Sequence, residues 1–307
     1  MKCLRDAYGD TLVKIGDDKR IVVLDADLSK STKTCKFAEK FPNRFFNFGV
    51  SEQDMMGTAA GLACCGKIPF VSTFAIFASG RAWEQVRNTI AYSNLNVRIV
   101  ATHGGLSTGE DGVSHQCIED IALMRAISNM RIIVPADAIE TEKAIAASID
   151  EVGPFYFRLP RSKVPLLFDD DYVFNMYKAE KMRDGSDVSI ISCGIMVSEA
   201  IKSAELLKKD GISAEVINMH TIKPIDKECI LKTARKNGKV VTCEDHSVVG
   251  GLGSAVSDVL INNYPVKMKM IGIEKFGESG PYEELMKKYG LAAENISRTV
   301  KALVENR

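Results

Sequence analysis

Glu52 heads the stretch NFGVSEQDMMGTAAGLACC (47–65), in front of Met55, Met56, Ala59, Ala60, Leu62 and Ala63. Ser51 and Asp54 have the types and spacing of a helix cap, so the stretch predicts a helix over 52–65. That helix is apolar on nearly every face and is expected to be buried. On an exposed helix Glu52 would do no more than complement the dipole. In a buried one, with no obvious cation nearby, its carboxylate needs a donor, and a ligand nitrogen would serve. The loop HGGLSTGEDGVSH (103–115) carries His103 and His115 at its ends and Glu110 and Asp111 between them. Its four glycines suit a backbone that bends sharply or comes close to a ligand. Histidines so placed can donate hydrogen bonds or shuttle protons near neutral pH; the plainer reading is an acidic surface turn. Phe74 and Phe77, in STFAIFASG, either pack a core or offer a stacking platform to a flat heterocycle. An acid, an apolar wall and histidines around one reactive carbon describe a site for an aminopyrimidine.

Short β-branched runs alternate with longer helical ones. Strands are expected over 20–27, 44–50, 69–74, 97–103, 131–135 and 154–159, with helices near 4–15, 52–65, 78–93, 117–129 and 137–149. Continuous apolar strands separated by helices imply an α/β fold with a mostly parallel sheet covered on both faces. The polar passage FDDDYVFNMYKAEKMRDGSD has the composition of a linker. After it the alternation restarts, with two helices at the end. The chain therefore divides into a first domain (1–167), a linker (168–186) and a smaller C-terminal α/β domain (187–307). Ligands of such sheets bind beyond the carboxyl ends of the strands. There the first domain gathers Asp27 and Leu28, Glu52, Phe74 and Phe77, the 103–115 loop, and Arg158 and Arg161.

Composition narrows the partners. The 307 residues are 46% hydrophobic, with 40 basic and 40 acidic side chains. No segment interleaves basic residues with aromatics, which argues against nucleic acid. No apolar run is long enough to span a bilayer and no leader-like signal opens the chain, so a soluble, cytoplasmic protein is expected. Eight cysteines without a Cys-x-x-Cys pair read as reduced, mostly core thiols, with Cys64 and Cys65 in the buried helix. His220 and His246 read as surface or domain-contact residues, Trp83 as core packing, and GGLG (250–253) as a weak phosphate cradle.

The segments DADLSKST, FGVSEQDMMGTAAGLA, PFVSTFAIFASGRAWEQVR, GGLSTGEDGVSHQCIEDIALMR, IIVPAD and GGLGSAV resemble, almost end to end, the C-terminal half of a transketolase: its pyrimidine-binding domain and its C-terminal domain. The resemblance implies thiamin diphosphate as cofactor. Glu52 would match the glutamate that hydrogen-bonds the aminopyrimidine nitrogen and promotes the tautomer that deprotonates the thiazolium carbon. Phe74 and Phe77 would line the aminopyrimidine pocket, with Phe77 stacking. Asp27 and Leu28 would lie near the thiazolium. His103 and His115 would contact the ketose donor and the carbanion formed from it, and Asp111 a sugar hydroxyl. Arg158 or Arg161 would hold the sugar phosphate, since a guanidinium bonds bidentately. The sequence departs from the family pattern at Val113, Ser114 and Cys117, and Gly80 replaces a further aromatic.

The family anchors the diphosphate through Mg²⁺ on a Gly-Asp-Gly motif with a downstream Asn. This sequence contains no Gly-Asp-Gly, and GDD at 16–18 precedes a strand rather than following one. The expectation is one subunit of a split transketolase, transferring a two-carbon ketol unit between sugar phosphates. An N-terminal subunit would hold the divalent metal, and the assembly would carry two copies of each chain. The alternatives are a deoxyxylulose phosphate synthase-like subunit, a 2-oxo acid dehydrogenase beta-type subunit, and a non-catalytic scaffold of the same fold.

Overall fold

The computed structural model describes residues 2–305. In chain order its strands are β1 (Lys2–Cys3), β2 (Ile21–Asp25), β3 (Phe45–Asn47), β4 (Ile68–Phe74), β5 (Arg98–Thr102), β6 (Arg131–Ile133), β7 (Phe155–Arg158), β8 (Lys163–Val164), β9 (Glu180–Arg183), β10 (Val188–Ser192), β11 (Ala214–Asn218), β12 (Thr221–Lys223), β13 (Lys239–Ser247) and β14 (Lys267–Ile273). A seven-stranded sheet has the order β12-β6-β7-β5-β4-β2-β3, a five-stranded sheet the order β14-β13-β10-β11-β9, and β1 pairs with β8 in a separate ribbon. The large sheet is parallel except at β12, and the small one is parallel except at β9. β2, β4, β5 and β7 are buried along their whole length, as expected of parallel strands covered on both faces.

Two features cross the expected domain division. The passage read as a linker carries β9, which pairs antiparallel with β11, and its start is tied down where Asp137 accepts from the Leu167 and Phe168 amides. β12, from the C-terminal half, adds an antiparallel edge to the first sheet beside β6. The C-terminal half of the chain is thus tied to the first sheet by main-chain hydrogen bonds.

Helix positions follow expectation more closely than helix details. Asp137 caps the helix Ala138–Ala147 through the Glu140 amide, as a short acid at that position does. Ser51 sits at the N-cap of Glu52–Cys64 but makes no side-chain capping bond. That helix buries Glu52, Met55, Met56, Ala59 and Ala60 and leaves Gln53, Asp54, Gly61, Cys64 and Cys65 exposed in the single chain. Burial on nearly every face is therefore corrected, and so is the placing of Cys64 and Cys65. Cys3, Cys117, Cys193 and Cys243 are the buried thiols, and all eight cysteines are free. The helix expected over 78–93 is wound in wide π turns at Phe77–Arg81 and Gln85–Ala91, a geometry often found at functional sites. No helix among the described residues is long and apolar enough to cross a membrane.

Candidate active site at the strand ends of the first sheet

The carboxyl ends of the adjacent strands β5, β4 and β2, with β3 outermost, carry the residues singled out by type and spacing. Phe74 ends β4 and is buried. Its ring lies 3.7 Å from that of His103, nearly parallel, and 6.0 Å from Phe77, again stacked. His115 meets both phenylalanines edge-on, at 6.0 and 5.7 Å. Phe77 is covered on one side by the Arg81 guanidinium, 4.6 Å from its centroid. Arg81 in turn donates to Glu52 Oε2 at 2.8 Å. Glu52, Arg81, Phe77, Phe74, His103 and His115 form one unbroken run of contacts.

Glu52 is 1% exposed and Arg81 47%. The expectation of a buried carboxylate holds; the expectation that no cation is near is corrected by Arg81. Sequence reading passed over Arg81, although its position four residues after Phe77 on a helix is the spacing at which side chains meet.

His103 occupies a left-handed backbone conformation, φ 59°, uncommon for a side chain larger than Gly and frequent where a site holds strain. Its carbonyl accepts from Thr108 Oγ1 at 2.7 Å, and Nδ1 pairs with Thr102 Oγ1 at 2.9 Å. Burial, helped by the Arg5 and Arg161 charges, pushes its pKa down to about 3, so the ring is neutral at physiological pH and can serve as donor or acceptor. His115 is held likewise, Nδ1 to Ser114 Oγ at 2.9 Å. In each case a hydroxyl one residue earlier fixes the ring.

The loop between them is stitched to the second domain. Asp245 accepts from the Leu106 and Ser107 amides at 2.9 and 3.3 Å. Gly105, at φ +86°, leaves the space that this carboxylate fills. Ser279 Oγ donates to the Glu110 carbonyl at 2.6 Å, and Gln116 Nε2 to the Glu278 carbonyl at 2.9 Å.

The remaining candidates separate. Arg158 is buried and mostly committed: Nε donates to both Asp120 oxygens at 3.0 and 2.8 Å, and one terminal nitrogen to the Cys117 and Asp245 carbonyls. Its other terminal nitrogen takes no part in these bonds, and the residue is 6% exposed, less reachable than Arg161. Arg161 is half-buried, bonded to Glu110 at 2.6 Å and 3.6 Å from Asp111. Asp27, also at positive φ, is exposed and bonds Asn47 rather than any member of the aromatic run. Leu28 is half-buried, and its amide donates to buried Asp25 at 2.6 Å.

His220 and His246 are buried between elements, which corrects the surface half of that reading. His246 Nε2 lies 3.9 Å from Asp120 and Nδ1 3.6 Å from Glu244. GGLG is no free phosphate cradle: Glu244 accepts from the Leu252 and Gly253 amides at 2.6 and 2.8 Å, so a side chain of the protein already fills the anion position. Among the described residues no group of three or more His, Cys, Asp or Glu side chains is arranged to hold a metal ion.

A two-domain α/β chain with an acid, two phenylalanines and two histidines at one set of strand ends is matched by the family models for the transketolase pyrimidine-binding domain (residues 2–165) and the transketolase C-terminal domain (residues 177–296). The chain belongs to the transketolase family. It is 50% identical to a putative transketolase C-terminal section of Methanocaldococcus jannaschii, across 97% of this chain and 95% of that one. It is 41% identical to a 6-deoxy-6-sulfo-D-fructose transketolase subunit of a Clostridium species, across 99% and 95%. Its fold superposes with a TM-score of 0.90 and 48% identity on a solved split-gene transketolase, an inactive beta4 tetramer, covering 98% of both chains.

Proposed function

We propose that this chain is the C-terminal subunit of a split, thiamin diphosphate-dependent transketolase that moves a two-carbon ketol unit from a ketose phosphate to an aldose phosphate. The observation that carries the reading is the pairing of a buried acceptor, Glu52, with a stacked aromatic face at Phe77, bridged by one planar N–H group. The Arg81 guanidinium makes there the two contacts an aminopyrimidine needs, a hydrogen bond to the carboxylate and a ring face, so the residues present fit that end of the cofactor. Bound thiamin diphosphate supplies the nucleophilic carbon and the electron sink for breaking and remaking the bond beside the ketose carbonyl.

This chain's side chains divide the rest of the work. Glu52 holds a ring nitrogen and sets its protonation. Phe74 and Phe77 exclude water from the ring. His103 and His115, each fixed at Nδ1, turn Nε2 toward the substrate and hold protons at its hydroxyls. Asp111 receives a sugar hydroxyl. Arg161, whose guanidinium is reachable, takes the phosphate, and Asp27 and Leu28 flank the thiazolium side. No Gly-Asp-Gly occurs in the sequence, so diphosphate and Mg²⁺ are assigned to a partner chain. Relatives described as a subunit, a C-terminal section and a split-gene product support the division. Exposed Val50, two residues before the Glu52–Cys64 helix, and Tyr92, at the end of the π-wound segment packed on that helix, suit a covered surface.

The test is reconstitution. With thiamin diphosphate and Mg²⁺ the isolated chain should be inactive, and adding a partner that carries Gly-Asp-Gly should restore ketol transfer. Full activity of the chain alone would overturn the split. Turnover of pyruvate in place of ketose phosphates would favour the dehydrogenase-type subunit.

A further inference from the structure

Arg81 occupies the position that the proposed function gives to the cofactor. Its guanidinium is flat, bears N–H donors, lies 4.6 Å over Phe77 and donates to Glu52 at 2.8 Å. An aminopyrimidine held by the same carboxylate and the same ring cannot share that space. We infer that Arg81 is a built-in stand-in for the aminopyrimidine: it fills the seat in the unassembled subunit and must swing out for the cofactor to enter. This inference rests on the cofactor reading above.

Both halves of the device are visible. Glu52 is almost wholly buried, and an uncompensated carboxylate there would destabilise the empty site. Arg81 removes that penalty while the seat is otherwise vacant. The arginine is itself nearly half exposed, so little packing holds it in. It ends a π turn, next to Gly80, which has no side chain to confine it. Glu84, three residues further and exposed, offers the released guanidinium a carboxylate at helical spacing.

The consequence is competition. A cofactor reaching this chain alone exchanges one charged hydrogen bond and one ring contact for another of each. Net binding then depends on the diphosphate end, which the proposed function gives to a second polypeptide. Arg81 thereby ties cofactor capture to assembly. It also differs from a pocket wall, which would add to affinity rather than subtract from it.

The test uses the isolated full chain and two probes, 4-amino-5-hydroxymethyl-2-methylpyrimidine and thiamin diphosphate with Mg²⁺. Binding is read by calorimetry and by the fluorescence of Trp83, the single tryptophan, two residues from Arg81. Arg81→Ala should bind the pyrimidine about tenfold more tightly than the parent, a gain of about 1.4 kcal/mol. Arg81→Lys keeps a charge for Glu52, loses the flat face and should tighten binding by a smaller factor; it decides the matter if the alanine variant fails to fold. Glu52→Gln should abolish the tight binding of either. If the parent binds the pyrimidine through Glu52 but neither Arg81 variant binds better, the stand-in is wrong and the cofactor reading survives. If no variant binds it at millimolar concentration, the cofactor reading falls and the stand-in with it.

Discussion

Arg158 and Arg161 are three residues apart at the end of one strand and are chemically alike, yet the fold gives them different tasks. Arg158 neutralises a fully buried Asp120, and one of its terminal nitrogens closes two main-chain carbonyls. Arg158→Ala strands a buried carboxylate and should cost about 3–5 kcal/mol of stability, read as a lowered denaturation midpoint. Arg161 has reachable nitrogens and bonds only exposed acidic side chains, besides the Thr108 carbonyl. Arg161→Ala should leave the midpoint within about 0.5 kcal/mol of the parent. In the reconstituted enzyme it should raise KM for a phosphorylated aldose by about ten- to hundredfold, the worth of a charge-assisted hydrogen bond, while leaving an unphosphorylated acceptor unaffected. An equal loss with both acceptors would remove Arg161 from the phosphate. Glu52→Gln keeps the shape of the side chain but can no longer stabilise a protonated ring nitrogen. It should lower kcat by at least about a hundredfold with a near-native midpoint, whereas a scaffold would show no change.

At the scale of elements, the site depends on the 103–115 loop being pulled into the second domain. Gly105 sits at φ +86° with its missing Cβ facing the Asp245 carboxylate. Gly105→Ala combines a penalty of about 1–3 kcal/mol for a positive-φ backbone that essentially only glycine adopts with displacement of the acid that orders Leu106 and Ser107. Stability should fall and kcat with it, measured by urea denaturation and by turnover of the assembled enzyme; a drop in stability with kcat unchanged would detach the loop from catalysis. The glycines and the flanking histidines were legible in the sequence because loop chemistry is local. So were the buried strands β2, β4, β5 and β7 of the large sheet, since strands covered on both faces read as mostly apolar runs. Three features were not legible, because each joins parts distant along the chain. β12 leaves the second half to edge the first sheet. Asp245 reaches across to amides near position 106. Arg81 finds a carboxylate 29 residues upstream, where the composition of the Glu52–Cys64 helix gave no hint of a cation. The π turns behind Phe77 were hidden as well, because a helical period of apolar residues does not reveal a locally wider winding.

Across the whole molecule, buried ionisable groups at the sheet ends and between the domains set opposing responses to pH. Burial holds His103 down to about 3 and His220 and His246 to about 4. Below their ordinary value near 6.5 the unfolded chain takes up protons that the folded chain refuses, so these histidines stabilise the fold fully above that pH and progressively less as pH falls. Glu140 and Glu244 are pushed up by burial to about 7. Between the ordinary glutamate value and 7 it is the folded chain that holds the extra proton, so their contribution to stability is greatest at the acid end and is lost as pH rises through 7. Between pH 5 and 6, of these five groups, three therefore pull one way and two the other. Each unopposed proton is worth about 1.4 kcal/mol per pH unit, so removing one glutamate should be directly visible. Glu140 is tied to the Ala136 amide, Asn218 and the Tyr172 hydroxyl, and glutamine can keep part of that set without titrating. The stability of Glu140→Gln, from urea denaturation at pH 5, 6 and 7, should therefore fall more steeply toward acid than the parent's, by about 1 kcal/mol per pH unit. Parallel profiles would mean that Glu140 is ionised in the folded protein, with Asn218 and Tyr172 donating to a charged carboxylate rather than a neutral acid.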